Sequence, residues 1–303
     1  MTRIAVFGYS QTGHACLEWL LDRGEEVVLV ATHEDRPGEA VWFQSVRQLA
    51  RSHGVPTVAL DDPRTPGALA RLRAAAPDLL LSFYYREVLP DAMLRIPGRG
   101  AYNVHGSLLP KYRGRAPVNW AVLRGETETG ATLHRMAPRA DAGDVVGQER
   151  VPIGPDDSAF EVQTRVTASA VRLLAAHIEA LKDGSAPGTP QDESAATTFP
   201  RRRPEDGRID WSRGAREVHN LVRALTHPYP GAFTDLFGGR TMLWKTRVPG
   251  LAAHDNFPGE VRREAGKLFV ACGDDHYVEV LRLQPEGCPE VDGERYAAER
   301  AAP

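Results

Sequence analysis

The sequence predicts an α/β protein in two parts, a Rossmann-like domain with a parallel sheet followed by a smaller β-rich domain, and three observations carry that reading. Short, unbroken apolar runs at residues 4–8, 27–31 and 79–83 are separated by stretches of helical spacing, as strands buried on both faces of a parallel sheet require. The composition then shifts at Asp183-Gly184-Ser185-Ala186-Pro187-Gly188-Thr189-Pro190, which reads as a linker. Beyond it, residues 242–248, 259–263, 267–271 and 277–283 form short strands between turns. The expected division is an α/β domain at 1–185, a linker at 186–205 and a β-rich domain at 206–303.

The first element is a strand over 4–8, followed by a helix with apolar spacing from Ala15 to Leu21. Gly8 and Gly13 do not complete Gly-x-Gly-x-x-Gly, so a dinucleotide site fails its own fingerprint, and no Walker motif is present. A second strand at 27–31 leads through the polar loop Thr32-His33-Glu34-Asp35-Arg36-Pro37-Gly38-Glu39 to a helix expected over 41–50. After the strand at 79–83 comes Tyr84-Tyr85-Arg86-Glu87-Val88-Leu89, whose two tyrosines read equally well as packing aromatics.

The most informative stretch runs from Tyr102 to Pro117, where a strand hands over to a helix that Pro117 opens at its first turn. Side chains alternate along a strand, so Asn103 and His105 share one face roughly 7 Å apart. Strand carboxyl ends are where open α/β sheets bind ligands. An isolated Asn-x-His reads first as a satisfied pair in a strand end, but here Gly106 and Gly114 permit close backbone approach, and Lys111, Arg113 and Arg115 put three cations within five residues. Residues 131–136 then alternate as a strand and Asp141 follows in a glycine loop, where by itself it reads as a turn former. A strand at 145–153 and a long amphipathic helix at 160–181 complete the first domain. Arg201-Arg202-Arg203 in the linker reads as a solvated charge run, and a helix is expected over 217–225. Pro228-Tyr229-Pro230-Gly231 is a rigid aromatic turn.

Of the 303 residues, 42% are hydrophobic and 25% charged, proportions that exclude disordered and fibrous classes. The net charge of -3 offers no footprint for a nucleic-acid backbone, so no nucleic-acid partner is expected. Cys16, Cys272 and Cys288 are odd in number and widely separated, which points to free thiols in a reducing compartment and to no metal site. The chain enters its first strand without a long apolar segment, so neither a membrane partner nor export is expected, and a cytoplasmic location follows. Oligomerisation stays open.

Asn103-Val104-His105, with Ser107-Leu108-Leu109-Pro110, Arg113-Gly114 and Arg139-Ala140-Asp141-Ala142-Gly143-Asp144, resembles the folate-dependent formyltransferases. The longer run from Ser107 to Pro117, with Gly125-Glu126-Thr127-Glu128-Thr129-Gly130 and Thr132-Leu133-His134-Arg135-Met136, is similar to the branch that formylates UDP-4-amino-4-deoxy-L-arabinose for lipid A modification and polymyxin resistance. The resemblance implies an OB-like C-terminal domain, 10-formyltetrahydrofolate as co-substrate, no metal, and a nucleotide-linked amino sugar as acceptor. It also implies catalytic roles for Asn103, His105 and Asp141. Folate contacts are implied for Glu87, Val88, Leu89, Arg115, Ala137, Pro138, Arg139 and Ala140, and substrate contacts for Lys111, Tyr112, Arg113 and Tyr229. Residues matching Thr32-His33 and Pro37-Gly38-Glu39 are expected at the substrate as well. Transfer of a formyl group to an amine needs an oxyanion donor and a proton path. Asn103 suits the first and His105 with Asp141 the second, with the identity of the base left open. The alternatives are methionyl-tRNA formyltransferase and a catalytically silent binding relative. Arg115, and a window over 36–42 with Arg36 as its one basic residue, favour the sugar branch.

Overall fold

The structure, a computed structural model, describes residues 1–35, 41–254 and 256–299. Arg36, Pro37, Gly38 and Glu39, named above for substrate contact and charge, lie outside the described residues. The chain divides into two compact units, one made of Met1–Pro117, Thr129–Val151 and Gln163–Pro200, the other of Val118–Glu128, Pro152–Val162 and the residues from Arg201 onward.

The first unit is built on a seven-stranded sheet. Its first five strands are β1 (Ile4–Gly8), β2 (Val27–Thr32), β3 (Thr57–Ala59), β4 (Leu79–Phe83) and β5 (Ala101–His105). Further along the chain come β6 (Arg113–Gly114), β7 (Glu128–Arg135), β8 (Val145–Pro152) and β9 (Thr198–Phe199). The sheet order is β3-β2-β1-β4-β5-β7-β8, with β1 to β5 parallel and β7 antiparallel to β5. β1 and β4 are buried along their whole length, which is why they read as continuous apolar runs. Strand order reverses between β2 and β4 on either side of β1, and a crevice opens at such a point beyond the strand carboxyl ends.

Helices α1 (Ser10–Asp22), α2 (Val46–Ser52), α3 (Pro66–Ala75) and α4 (Asp91–Leu94) cross over between these strands. α2 starts five residues later than the apolar pattern suggests, because the Ser45 side chain accepts from Gln48 N and caps the helix there. α3 has the Thr65 cap with Pro66 in its first turn, a signal that the apolar spacing alone does not expose. α5 (Pro117–Leu123) and α6 (Ala159–Asp183) follow. Neither these nor any other helix among the described residues is long and apolar enough to cross a membrane.

The second unit carries an antiparallel sheet of β10 (Ala232–Thr234), β11 (Thr241–Arg247), β12 (Val261–Glu264), β13 (Lys267–Ala271), β14 (Tyr277–Pro285) and β15 (Val291–Asp292). It is covered by α7 (Ala215–Leu225) and α8 (Gly293–Glu299). Val218, Val222 and Leu225 of α7 lie one turn apart and pack on Leu243, Leu268, Val270, Val278, Val280 and Leu283. The expected order of an α/β domain and then an antiparallel β-rich one is what the fold shows. β3, α3, β10, β15 and α8 are additions to the elements expected from the pattern.

The 183–205 stretch is not a bare connection. Thr189 bridges to Val145, residues 193–195 form a 3-10 turn, and β9 pairs in parallel with β6, Arg113 to Thr198 and Gly114 to Phe199. Polar, small residues make this stretch look like linker locally, but backbone pairing with a distant loop orders it.

Candidate active site

β5 and β7 pair antiparallel with Asn103 opposite His134 and His105 opposite Thr132. That register brings a second histidine to the face that alternation assigns to Asn103 and His105. His134 Nδ1 donates to the Arg135 carbonyl at 2.9 Å, so its Nε2 holds the lone pair and accepts from Asn103 Nδ2 at 3.1 Å. Burial pushes His134 down to about 4, against the opposing pull of Asp141, so the ring is neutral at physiological pH and remains an acceptor. The Asn103 amide is thereby oriented, with one N–H spent on His134 and the other left for a ligand.

His105 is buried, and its Nε2 donates to the Tyr112 carbonyl at 2.8 Å. A carbonyl can only accept, so Nδ1 is the nitrogen placed to gain or lose a proton, and it faces Asp141 Oδ1 at 3.6 Å. Asp141 sits at φ 55, in the left-handed region. Its Oδ2 accepts from Gly114 N at 2.9 Å, and Oδ1 also lies 3.7 Å from His134 Nε2. Burial by itself would raise this carboxyl, but His105, His134, the Gly114 N–H and Arg113 together outweigh it, holding Asp141 below the ordinary carboxylate range and ionised.

Two loops hold this geometry. Thr132 Oγ1 donates to the Ser107 carbonyl at 2.6 Å and accepts from Leu109 N at 3.1 Å, while Gln148 Nε2 donates to the Leu109 carbonyl at 2.7 Å. Ser107 Oγ donates to the Lys111 carbonyl at 2.7 Å and closes the turn. Gly114 has φ 95, and a Cβ there would lie 2.5 Å from the Phe199 carbonyl oxygen, so β6 can approach β9 only with glycine at this position.

Of the other expected residues, Arg115 Nη2 stands 3.8 Å from Glu87 Oε1, which joins the loop after β6 to the loop after β4. In that second loop Val88 is exposed and Leu89 buried. Ala137, Pro138, Arg139 and Ala140 form the run from β7 into Asp141, and Arg139 Nη1 donates to Glu193 Oε2 at 2.7 Å. Lys111 is exposed. Tyr229 lies in the second unit, between α7 and β10.

Two of the residues expected at the substrate have partners within the protein. The Arg113 side chain is 2% exposed and is held by Glu193 and Gln191, which fixes the loop. The Tyr112 ring stacks on Phe199 at 4.9 Å between centroids, and its carbonyl accepts from His105.

At the carboxyl ends of β1, β2 and β4 the Arg86 guanidinium lies 4.0 Å over the Tyr9 ring, and His33 stacks on Tyr85 at 4.2 Å. His33 Nε2 accepts from Arg86 N at 3.0 Å, and Nδ1 meets Asp61 Oδ1 at 3.1 Å. Tyr85 also packs edge-on against Phe7, so it is a core aromatic and a member of this cluster at once. The site residues absent from the expectation are His134, Gln191 and Glu193. The run Thr132-Leu133-His134-Arg135-Met136 carried His134 in the resemblance without a role for it, and Gln191 and Glu193 had no signal. Among the described residues, no group of three or more His, Cys, Asp or Glu is arranged to hold a metal ion.

Comparison with known proteins places the chain as a whole. The family model described as "Formyl transferase" matches residues 2–178, and "Formyl transferase, C-terminal domain" matches residues 202–301. The fold is similar to that of an N-formyltransferase from Helicobacter canadensis crystallised with folinic acid and dTDP-3-aminofucose, at a TM-score of 0.73 and 17% identity, covering 94% of this chain and 100% of that one. It is similar also to WlaRD, a sugar 3N-formyl transferase solved in the presence of dTDP and 5-N-formyl-THF, at a TM-score of 0.69 and 17% identity over 95% of this chain and 99% of that one. HypX from Aquifex aeolicus, solved with tetrahydrofolic acid, matches over 99% of this chain but 48% of its own, at a TM-score of 0.66 and 20% identity. With both halves of the chain matched in order and its one Asn-x-His strand set against an Asp loop, the protein belongs to the formyl transferase family.

Proposed function

We propose that this protein transfers the formyl group of 10-formyltetrahydrofolate to the amine of a nucleotide-linked amino sugar. The observation that carries the reading is the constellation of Asn103, His105 and Asp141, with Asn103 oriented by a neutral His134 and Asp141 kept ionised among two histidines and a backbone N–H. In this reading the acceptor amine attacks the formyl carbon, and the remaining Asn103 N–H donates to the oxyanion that forms. The proton released by the amine enters the Asp141–His105 pair and leaves to N10 of the folate as the bond from N10 to the formyl carbon breaks. Glu87, Val88, Leu89 and the run from Ala137 to Ala140 line the folate side, together with Arg115. Two similar folds that hold dTDP or a dTDP-amino sugar support a nucleotide-sugar acceptor, and the run from Ser107 to Pro117 favours UDP-4-amino-4-deoxy-L-arabinose among such acceptors.

The test is release of tetrahydrofolate from 10-formyltetrahydrofolate in the presence of UDP- and dTDP-linked amino sugars, or of methionyl-tRNA. Release is expected only with a nucleotide-linked amino sugar, and fastest with UDP-4-amino-4-deoxy-L-arabinose. Turnover with methionyl-tRNA and none with any sugar would overturn the proposal.

A further inference from the structure

The segment after α6 reaches into the candidate site from the outside. It is anchored at one end by the Thr189–Val145 bridge, and at the other by β9, where Arg113 N donates to the Thr197 carbonyl and Tyr112 N to Thr197 Oγ1, both at 2.8 Å. Between these anchors Gln191 uses its whole amide. Nε2 donates to the Asp141 carbonyl at 2.8 Å and to the Gly143 carbonyl at 2.7 Å, while Oε1 accepts from Arg113 Nε at 3.2 Å and Nη2 at 2.7 Å. The remaining side of the Arg113 fork is closed by Glu193, at 3.0 and 2.7 Å.

Gln191 therefore ties together the two loops that define the Asp141 carboxylate. One loop bears Asp141 itself, on a left-handed backbone. The other supplies the Gly114 N–H to Asp141 and the Tyr112 carbonyl to His105. We propose that Gln191 is a positioning residue for formyl transfer, holding Asp141 against His105 through the carbonyls of Asp141 and Gly143. This rests on the reading of Asn103, His105 and Asp141 as the reacting groups.

Two substitutions separate positioning from scaffolding. Gln191→Glu keeps an oxygen for Arg113 but at neutral pH has no N–H for the Asp141 loop, whereas Gln191→Ala loses both functions. Both are expected to lower kcat by roughly 10- to 100-fold, the scale of a misplaced reacting group, with KM for both substrates nearly unchanged. Thermal melts of both variants are run beside the kinetics, so that loss of folded protein is separated from loss of turnover. In 15N spectra at fixed pH, the His105 Nδ1 resonance, assigned by its loss in His105→Ala, should move in both variants. Full kcat in Gln191→Glu beside a slow Gln191→Ala would reduce Gln191 to a holder of Arg113, and an unmoved His105 resonance in Gln191→Ala would equally overturn the proposal. Asp141→Asn run alongside distinguishes the two levels. If Asp141→Asn turns over like the parent the reading of the site fails as a whole, whereas a slow Asp141→Asn with a parent-like Gln191→Glu sinks this inference alone.

Discussion

The two halves of the candidate site are built by different means. Asn103 and His134 stand on paired central strands, where one register of hydrogen bonds fixes both side chains and burial keeps the histidine neutral. Asp141 and the carbonyl partner of His105 stand on loops, held by a segment that returns some fifty to eighty residues later in the chain. A strand pair cannot shift by one residue without turning its side chains to the opposite face, so the first half is set as soon as the sheet forms. The loop half can be lost piecemeal. The oxyanion donor proposed for this site thus belongs to the sheet, and the proposed proton path to tertiary contacts made around it.

The largest expected effect falls on the strand half. Asn103→Ala should lower kcat by on the order of 100- to 1,000-fold, the usual loss for one oxyanion donor, with a modest fall in melting temperature because the buried His134 Nε2 loses its donor. Steady-state kinetics beside a thermal melt measure this, and parent-like turnover would make β5 a scaffold and move catalysis wholly to the loops.

The next expectation is a stability change with pH. The folded protein holds His134 at about 4 against an ordinary value of 6.5, so the folded state binds this proton less readily than the unfolded chain. Its contribution is complete above about pH 6.5, falls as the pH drops through that window, and by about pH 4 has cost about 3 kcal/mol. Urea denaturation of the parent and of His134→Gln between pH 7.5 and 4 tests this. The variant should show a flatter acid slope, and identical slopes would mean that the β5–β7 half is not where acid sensitivity resides.

The smallest effect is expected in the loop half, at Arg115. Its side chain is 45% exposed and 3.8 Å from Glu87, so solvent screens the contact. Arg115→Ala should raise the Michaelis constant for the folate by about tenfold or less and leave that for the acceptor largely unchanged. A rise confined to the acceptor would move this arginine to the opposite side of the reacting groups.

The order of the domains, the buried strands of the parallel sheet and the shared face of Asn103 and His105 were all decided by local sequence. Apolar runs and side-chain alternation are short-range properties, visible in five or six consecutive residues. The resemblance of the stretch from Ser107 to Pro117 and of the Asp141 loop belongs to the same level, since it is carried by contiguous residues. His134 became part of the site only through the register of β5 on β7, which sequence alternation does not specify. Arg113 is braced because Gln191 and Glu193 come to meet it, from a stretch whose glycines, prolines and small polar residues read as linker. Tertiary structure decided these positions because each depends on a partner distant in the chain, and the free energy that orders a polar segment of this kind comes from the hydrogen bonds it completes elsewhere, not from a pattern within itself.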